Sequence, residues 1–258
     1  MAWGDTGTLF VGWFGVGTVW AITDSGGKTE VKPILTGLKM PTAKVVYDDM
    51  PAHVAHGWKY LTFDKAGWLY VPFGPPCNEC LPPTSLSQVR RVNPATGQAE
   101  LMAIGVRNSV GGDIDPRSGD CWFTESARDW ISDDLPDPKL AMGHKCSEFT
   151  PPVLKLGAHV APLGMKFYTG KQFPAEYSNN IFIAEHGSWN RHQYQGGSIV
   201  RVVTDAQGKN AGQSVFATNW INGGQSYSGR PADIVMAPDG SMLIADDWAG
   251  AYRISYAK

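Results

Sequence analysis

The chain has 258 residues, 43% of them hydrophobic and 18% charged, with a formal net charge of −2. This composition supports a sizeable core and excludes an intrinsically disordered chain. The near-neutral balance, with no Lys/Arg run, excludes a nucleic-acid footprint, and no stretch of 18 apolar residues predicts a transmembrane helix.

Residues 1–20 are apolar but contain Asp5 and lack a basic leader, so they read as a strand pair rather than a signal peptide. A short pattern starts there: a turn residue, any residue, then an apolar and aromatic run. Its first copy is Gly7-Thr8-Leu9-Phe10-Val11, followed by a second strand from Gly17 to Thr23. The next is Gly67-Trp68-Leu69-Tyr70-Val71, followed by a strand over Gln88–Asn93. Then come Gly119-Asp120-Cys121-Trp122-Phe123 and Asn179-Asn180-Ile181-Phe182-Ile183, the latter followed by Ser198–Val203. The last is Gly240-Ser241-Met242-Leu243-Ile244, followed by Ala251–Tyr256. Successive turn residues are 60, 52, 60 and 61 positions apart. Alternating apolar and polar residues are the period-2 mark of strands. Turn chemistry lies between them, at Asn93 to Gly97, Asp115 to Gly119 and Pro238 to Gly240.

No segment carries a helical period over twelve or more residues, which removes parallel α/β folds. Repeated antiparallel units that cannot bury their own faces predict an all-β fold, a β-propeller, with about five strand units and a single domain over 1–258. A β-sandwich or unrelated hairpins is the plainer alternative. Loops on one face of a propeller build its central site.

Three loops concentrate polar residues. His53 to Lys59 precedes the second unit, and a neutral His56 there can accept a proton near neutral pH. Gly105 to Gly111 offers Arg107 and Asn108, a bidentate fork and a mixed donor–acceptor suited to a planar anion. Thr124 to Asp134 holds four acids within ten residues, hard oxygen donors that would suit Ca²⁺ although the spacing is not that of an EF-hand. A turn histidine, a surface ion pair and a solvated acidic loop are the plainer readings of the three. Further polar residues flank predicted strands at Ala158 to Pro162, Glu185 to Arg191 and Gly229 to Asp233. Four cysteines are present; Cys77 and Cys80 form a CxxC between proline pairs. A loop disulfide, unpaired thiols, and metal or redox chemistry are the options, in that order.

At these residues the chain resembles the soluble glucose/sorbosone dehydrogenase family, quinoproteins that use pyrroloquinoline quinone (PQQ) and Ca²⁺, above all its L-sorbosone dehydrogenase-like branch. The resemblance is carried by His56-Gly57-Trp58-Lys59, Gly105-Val106-Arg107-Asn108, Trp122 to Glu125, Arg128-Asp129-Trp130, Asp133 to Pro136, His159 to Met165, Ala184 to Arg191, and Gly229 through Tyr256. It implies a six-bladed propeller with PQQ over the central channel. It implies His56 as the general base, and Arg107 and Asn108 as residues holding the reactive ring, Arg107 also stabilising the charge that develops on it. It implies the carbonyls of Ala127 and Arg128 as Ca²⁺ ligands, and Arg230 and His159 as cofactor contacts. The implied protein is a periplasmic or secreted sugar dehydrogenase that passes electrons to an external acceptor such as a quinone or cytochrome. A non-catalytic carbohydrate- or partner-binding propeller and a calcium-dependent lactonase-type propeller are the competing functions. The chain departs from the family in having Ala55 directly before the base and Gly187 at a cofactor-contacting lysine position. By comparison with the family, stretches between Pro41 and Val45 and between Pro136 and Gly143 are expected to be shorter, and the family's first strands are expected to be missing.

Overall fold

The structure, a computed structural model, describes residues 2–3, 9–13, 18–25, 28–35, 56–57, 59–78, 80–129, 142–209, 211–248 and 250–257. Among them the only helical elements are 3-10 turns at Cys146–Glu148 and Ala175–Tyr177. Among the described residues no helix is long and apolar enough to cross a membrane.

Among the described residues, five antiparallel sheets and a small hairpin follow one another along the chain, each built from consecutive strands. The first comprises β1 (Ala2–Trp3), β2 (Leu9–Trp13), β3 (Thr18–Ser25) and β4 (Lys28–Leu35). The second comprises β5 (Thr62–Phe63), β6 (Leu69–Phe73), β7 (Gln88–Val92) and β8 (Ala99–Ile104). The third has β9 (Gly112–Ile114) and β10 (Cys121–Phe123). The fourth has β11 (Pro162–Phe167), β12 (Ile181–Glu185), β13 (Ser198–Val203) and β14 (Gly212–Ala217). A small hairpin, β15 (Ile221–Asn222) with β16 (Ser226–Tyr227), leads to the fifth: β17 (Pro231–Met236), β18 (Met242–Asp246) and β19 (Gly250–Ile254). This is the meander of a β-propeller, one sheet per blade. The sheets reproduce the five strand units read from the sequence: β2, β6, β10, β12 and β18 are the recurring apolar runs.

The core lies between blades. In β12 every residue is buried, and its two faces serve different neighbours. Ile181 and Ile183 pack with Met165, Phe167, Val200 and Val202, against Trp122 of the third blade. Phe182 and Ala184 face the other way, packing with Ile199 of their own sheet and Ile234, Met242 and Ile244 of the fifth blade. A strand covered on both faces reads as a continuous apolar run, which is why these second strands stood out in the sequence. The outermost strand β14 is mostly exposed.

The first strands of four blades pack together at the axis. Gly111 approaches the Leu163 carbonyl so closely that no Cβ fits, and a Cβ on Gly164 would lie 2.6 Å from Asp233 Cα. Glycine lets these backbones meet without side chains between them.

Candidate active site

The inner strands run in step, so the segments preceding them gather at one end of the axis. The Tyr60 amide donates to the Val110 carbonyl at 2.9 Å, and Gly112 packs on Thr62. The Phe167 amide donates to Asp113 Oδ2 at 2.9 Å. Gly111 against Leu163, and Gly164 against Asp233, extend the same register through β9, β11 and β17. The Tyr60 hydroxyl then reaches across to the Ala232 carbonyl at 3.2 Å. His56, Arg107–Asn108, His159 and Arg230 all precede an inner strand, so they enter from the same end.

His56 sits on the connection into β5 with φ of 53°, a left-handed conformation. For a non-glycine residue that costs of order 1–3 kcal/mol, and such strain collects at functional sites. Its Nδ1 lies 2.7 Å from the Pro75 carbonyl. A carbonyl only accepts, so Nδ1 carries the proton and Nε2 presents a lone pair. Burial, with Arg107 and Lys59 nearby, lowers the imidazole pKa below 6.5, against the pull of the Pro75 bond and Asp129. The ring is therefore neutral at pH 7. Gly74 separates His56 from Arg107: a Cβ there would stand 2.6 Å from both His56 Cβ and the Arg107 carbonyl.

Arg107 is a hub. Its Nη1 donates to the carbonyls of Ser126 at 3.2 Å and Ala127 at 2.9 Å. Its Nη2 donates to Asn78 Oδ1 at 2.8 Å and pairs with Asp129 Oδ2 at 3.3 Å. Its Nε is buried without a hydrogen-bond partner among the described residues. Glu125 clamps the backbone beneath it, accepting from the amides of Arg107 at 2.6 Å and Asn108 at 2.9 Å and from Ser109 Oγ at 2.5 Å. Surrounding protein pushes the Glu125 carboxyl up, against those hydrogen bonds. Lys59 Nζ donates to Asn108 Oδ1 at 2.8 Å. Desolvation, reinforced by Arg107 and opposed by Glu125, brings its ammonium down to about 8.

Arg230 belongs to a neighbouring cluster. Its guanidinium donates to the carbonyls of His186 at 3.1 Å and Gly187 at 2.7 Å, and lies 4.8 Å from the centre of the Tyr227 ring. His186 Nε2 is 2.7 Å from Asp247 Oδ2. Desolvation and the Arg230 cation hold that imidazole low, against Asp247. Tyr60 links the two groups: its hydroxyl is held strongly protonated by burial, with Asp233 and Asp247 adding to the effect. His159 also has a left-handed backbone, with φ of 60°, but no side-chain hydrogen bond or ion pair among the described residues.

The structure thus brings His56, Arg107 and Asn108 together and sets Arg230 and His159 at the same end without direct contact to them. Lys59, Asn78 and the His186–Asp247 pair carried no role in the sequence; Glu125, expected there among the acidic loop's Ca²⁺ donors, is found accepting from the Arg107 and Asn108 amides and Ser109 Oγ. Asn78 had a visible signal, its place inside the CxxC, whose cysteines are joined in a disulfide with Cα atoms 6.0 Å apart. Asp133, Asp134 and His53 lie outside the described residues. Ala127 and Arg128 lie where the acidic loop meets Arg107, and the Ala127 carbonyl accepts from that guanidinium. Among the described residues no three His, Cys, Asp or Glu side chains gather as metal ligands.

The fold and site define a class: propellers whose polar centre is assembled from blade-to-blade connections at one end of the axis. Comparison with known proteins narrows it. Residues 136–254 match the TrAA12-like family. The chain is 34% identical over 232 residues to an uncharacterized protein of Borreliella burgdorferi, covering 79% of this chain and 61% of that protein; it therefore spans about three fifths of that relative's length. The holo form of the pyranose dehydrogenase PQQ domain from Coprinopsis cinerea superposes with a TM-score of 0.63 at 18% identity, covering 93% of this chain and 77% of that one. A Trichoderma reesei carbohydrate-active enzyme of family AA12 gives 0.63 and 18%, covering 100% and 80%. These matches bear out the resemblance stated above, in fold and in the second half of the sequence.

Proposed function

We propose that the 258 residues form one catalytic propeller unit of a sugar-oxidising quinoprotein. It would take an aldose or sorbosone-type sugar, use PQQ, and pass electrons to an external acceptor such as a quinone or cytochrome in the periplasm or outside the cell. The carrying observation is His56, its Nδ1 bonded to the Pro75 carbonyl so that Nε2 is the accepting nitrogen, beside the cations Lys59 and Arg107. The resemblance and the partial TrAA12-like match support the same reading. The Cys77–Cys80 disulfide suits an oxidising compartment.

The site fits an anionic, planar cofactor. Lys59, Arg107 and Arg230 put positive charge at one end of the axis, and the buried Arg107 Nε is a donor with no partner among the described residues. PQQ, when bound, would supply the two-electron acceptor. Arg107 and Lys59 would favour the negative charge that builds on the ring, and Asn108 would orient it through the side-chain amide that its contact with Lys59 leaves available. Arg230 and His159 would border the same ring. His56 Nε2 would take the proton of the sugar hydroxyl. Calcium fits less well: at Ala127 the ion would share its oxygen with a guanidinium 2.9 Å away, so no step is drawn through it.

The test is dye reduction by the purified chain with PQQ and a panel of aldoses and sorbosone. Turnover is expected, and His56→Ala should lower it about 10²–10⁴-fold while leaving PQQ affinity nearly unchanged. The rate should hold near neutral pH and fall as acid protonates His56, through an apparent pKa below 6.5. PQQ bound without turnover would point instead to a carbohydrate-binding propeller. Lactone hydrolysis without PQQ would point to a lactonase.

A further inference from the structure

The loop leaving β6 touches both halves of the proposed centre. Pro75 carries the carbonyl that fixes the His56 tautomer. Three residues on, Asn78 Oδ1 accepts from Arg107 Nη2 at 2.8 Å and from the Asp129 amide at 3.1 Å. Its Nδ2 points back to the Asp129 carbonyl at 3.5 Å. Asn78 therefore ties the guanidinium to the loop that carries Ser126 and Ala127, the other acceptors of Arg107. It lies inside the ring closed by Cys77 and Cys80. That ring removes backbone freedom Asn78 would otherwise have. The other two cysteines are separate: Cys121 and Cys146 are free, and burial pushes the Cys121 thiol up to about 12, where it is a poor nucleophile.

We propose that Asn78 is a positioning residue for Arg107 and that the Cys77–Cys80 bond holds it in place, so the thiol–disulfide state of this loop sets the orientation of the site's central cation. Reduction follows ordinary thiol–disulfide exchange. A dithiol breaks the Cys77–Cys80 bond, two electrons and two protons pass to the cysteine sulfurs, and the dithiol leaves as its own disulfide. With the ring open, Asn78 loses its fixed place and Arg107 loses one of its acceptors. The consequence for cofactor binding rests on the function proposed above; the effect on Arg107 does not.

The experiment is arginine labelling by an α-dicarbonyl such as phenylglyoxal, read residue by residue by peptide mass spectrometry. Arg117 is the internal reference, since it is bound to Asp115 and makes no contact with this loop. In the oxidised protein Arg107, whose side chain is 14% exposed, should label slowly. In Asn78→Ala, in the Cys77→Ser/Cys80→Ser double variant, and in dithiol-reduced wild type it should label about tenfold faster, as expected for loss of a hydrogen bond to a charged group. Arg117 should be unchanged. Asn78→Asp keeps an acceptor oxygen and should restore slow labelling. Equal Arg107 labelling in the oxidised, reduced and Asn78→Ala proteins would overturn the proposal. A PQQ titration on the same samples separates the two ideas. Wild type that fails to bind PQQ refutes the function and leaves the labelling result to decide the positioning role. If wild type binds, Asn78→Ala and the reduced protein should bind about tenfold more weakly.

Discussion

At Glu185, burial and charge pull in opposite directions. The side chain is 5% exposed and receives one hydrogen bond, from Ser198 Oγ at 2.8 Å. Desolvation outweighs that bond and raises its pKa to about 7. Between the ordinary value of 4.5 and that level the folded protein binds more protons than the unfolded chain, so stability falls as pH rises. The displacement is worth about 3 kcal/mol once pH passes 7. Glu185→Gln should therefore change little near pH 4 and become progressively stabilising toward pH 8, read as urea midpoints at each pH; a pH-independent difference would refute the assignment. Lys59 works the other way round in binding. Its cation survives below about 8 and is lost above it, so affinity for an anionic cofactor should weaken as pH rises through that value. Lys59→Met should be weaker throughout and lose that step; a wild-type-like pH profile in Lys59→Met would contradict this. His56, Arg107 and Asn108 were legible because uncommon polar residues stood in short loops just before strands. Lys59 and Asn78 were not, because their roles come from contacts made 49 and 29 positions away along the chain; Glu125 stood out only as one of its loop's oxygen donors, because the amides it holds lie 17 and 18 positions away.

The strands divide by how they are covered. Middle strands such as β12 lie under a blade on each side and carry unbroken apolar runs, so the sequence pattern located them. Inner strands carry glycine, as at Gly111–Gly112 and Gly164, because backbones meet at the axis; that leaves no apolar run to read. Outer strands such as β14 face water and blend with loops. The same division sets where stability resides. Phe182 is fully buried, with the Phe216 and Tyr168 rings 4.8 and 6.1 Å away. Phe182→Ala should cost about 3–5 kcal/mol through lost transfer energy and the cavity left behind. Val215→Ala on exposed β14 should fall within about 0.5 kcal/mol. Equal losses at the two positions, measured by urea denaturation, would contradict the account of blade-to-blade packing.

For the whole molecule, five sheets were legible from spacing alone, since each blade repeats the same turn and apolar run. The β15–β16 hairpin broke no pattern and was missed. The geometry of the centre depends on something spacing does not carry, namely inner strands running in step so that distant connections meet at one end. A PQQ titration followed by tryptophan quenching tests that convergence. Arg107 and Arg230 precede inner strands of different blades, yet both would face one ligand. Wild type should saturate at one PQQ per chain, and Arg107→Ala and Arg230→Ala should each weaken binding by about tenfold or more. Absence of saturable binding, or weakening in only one of the two variants, would contradict it.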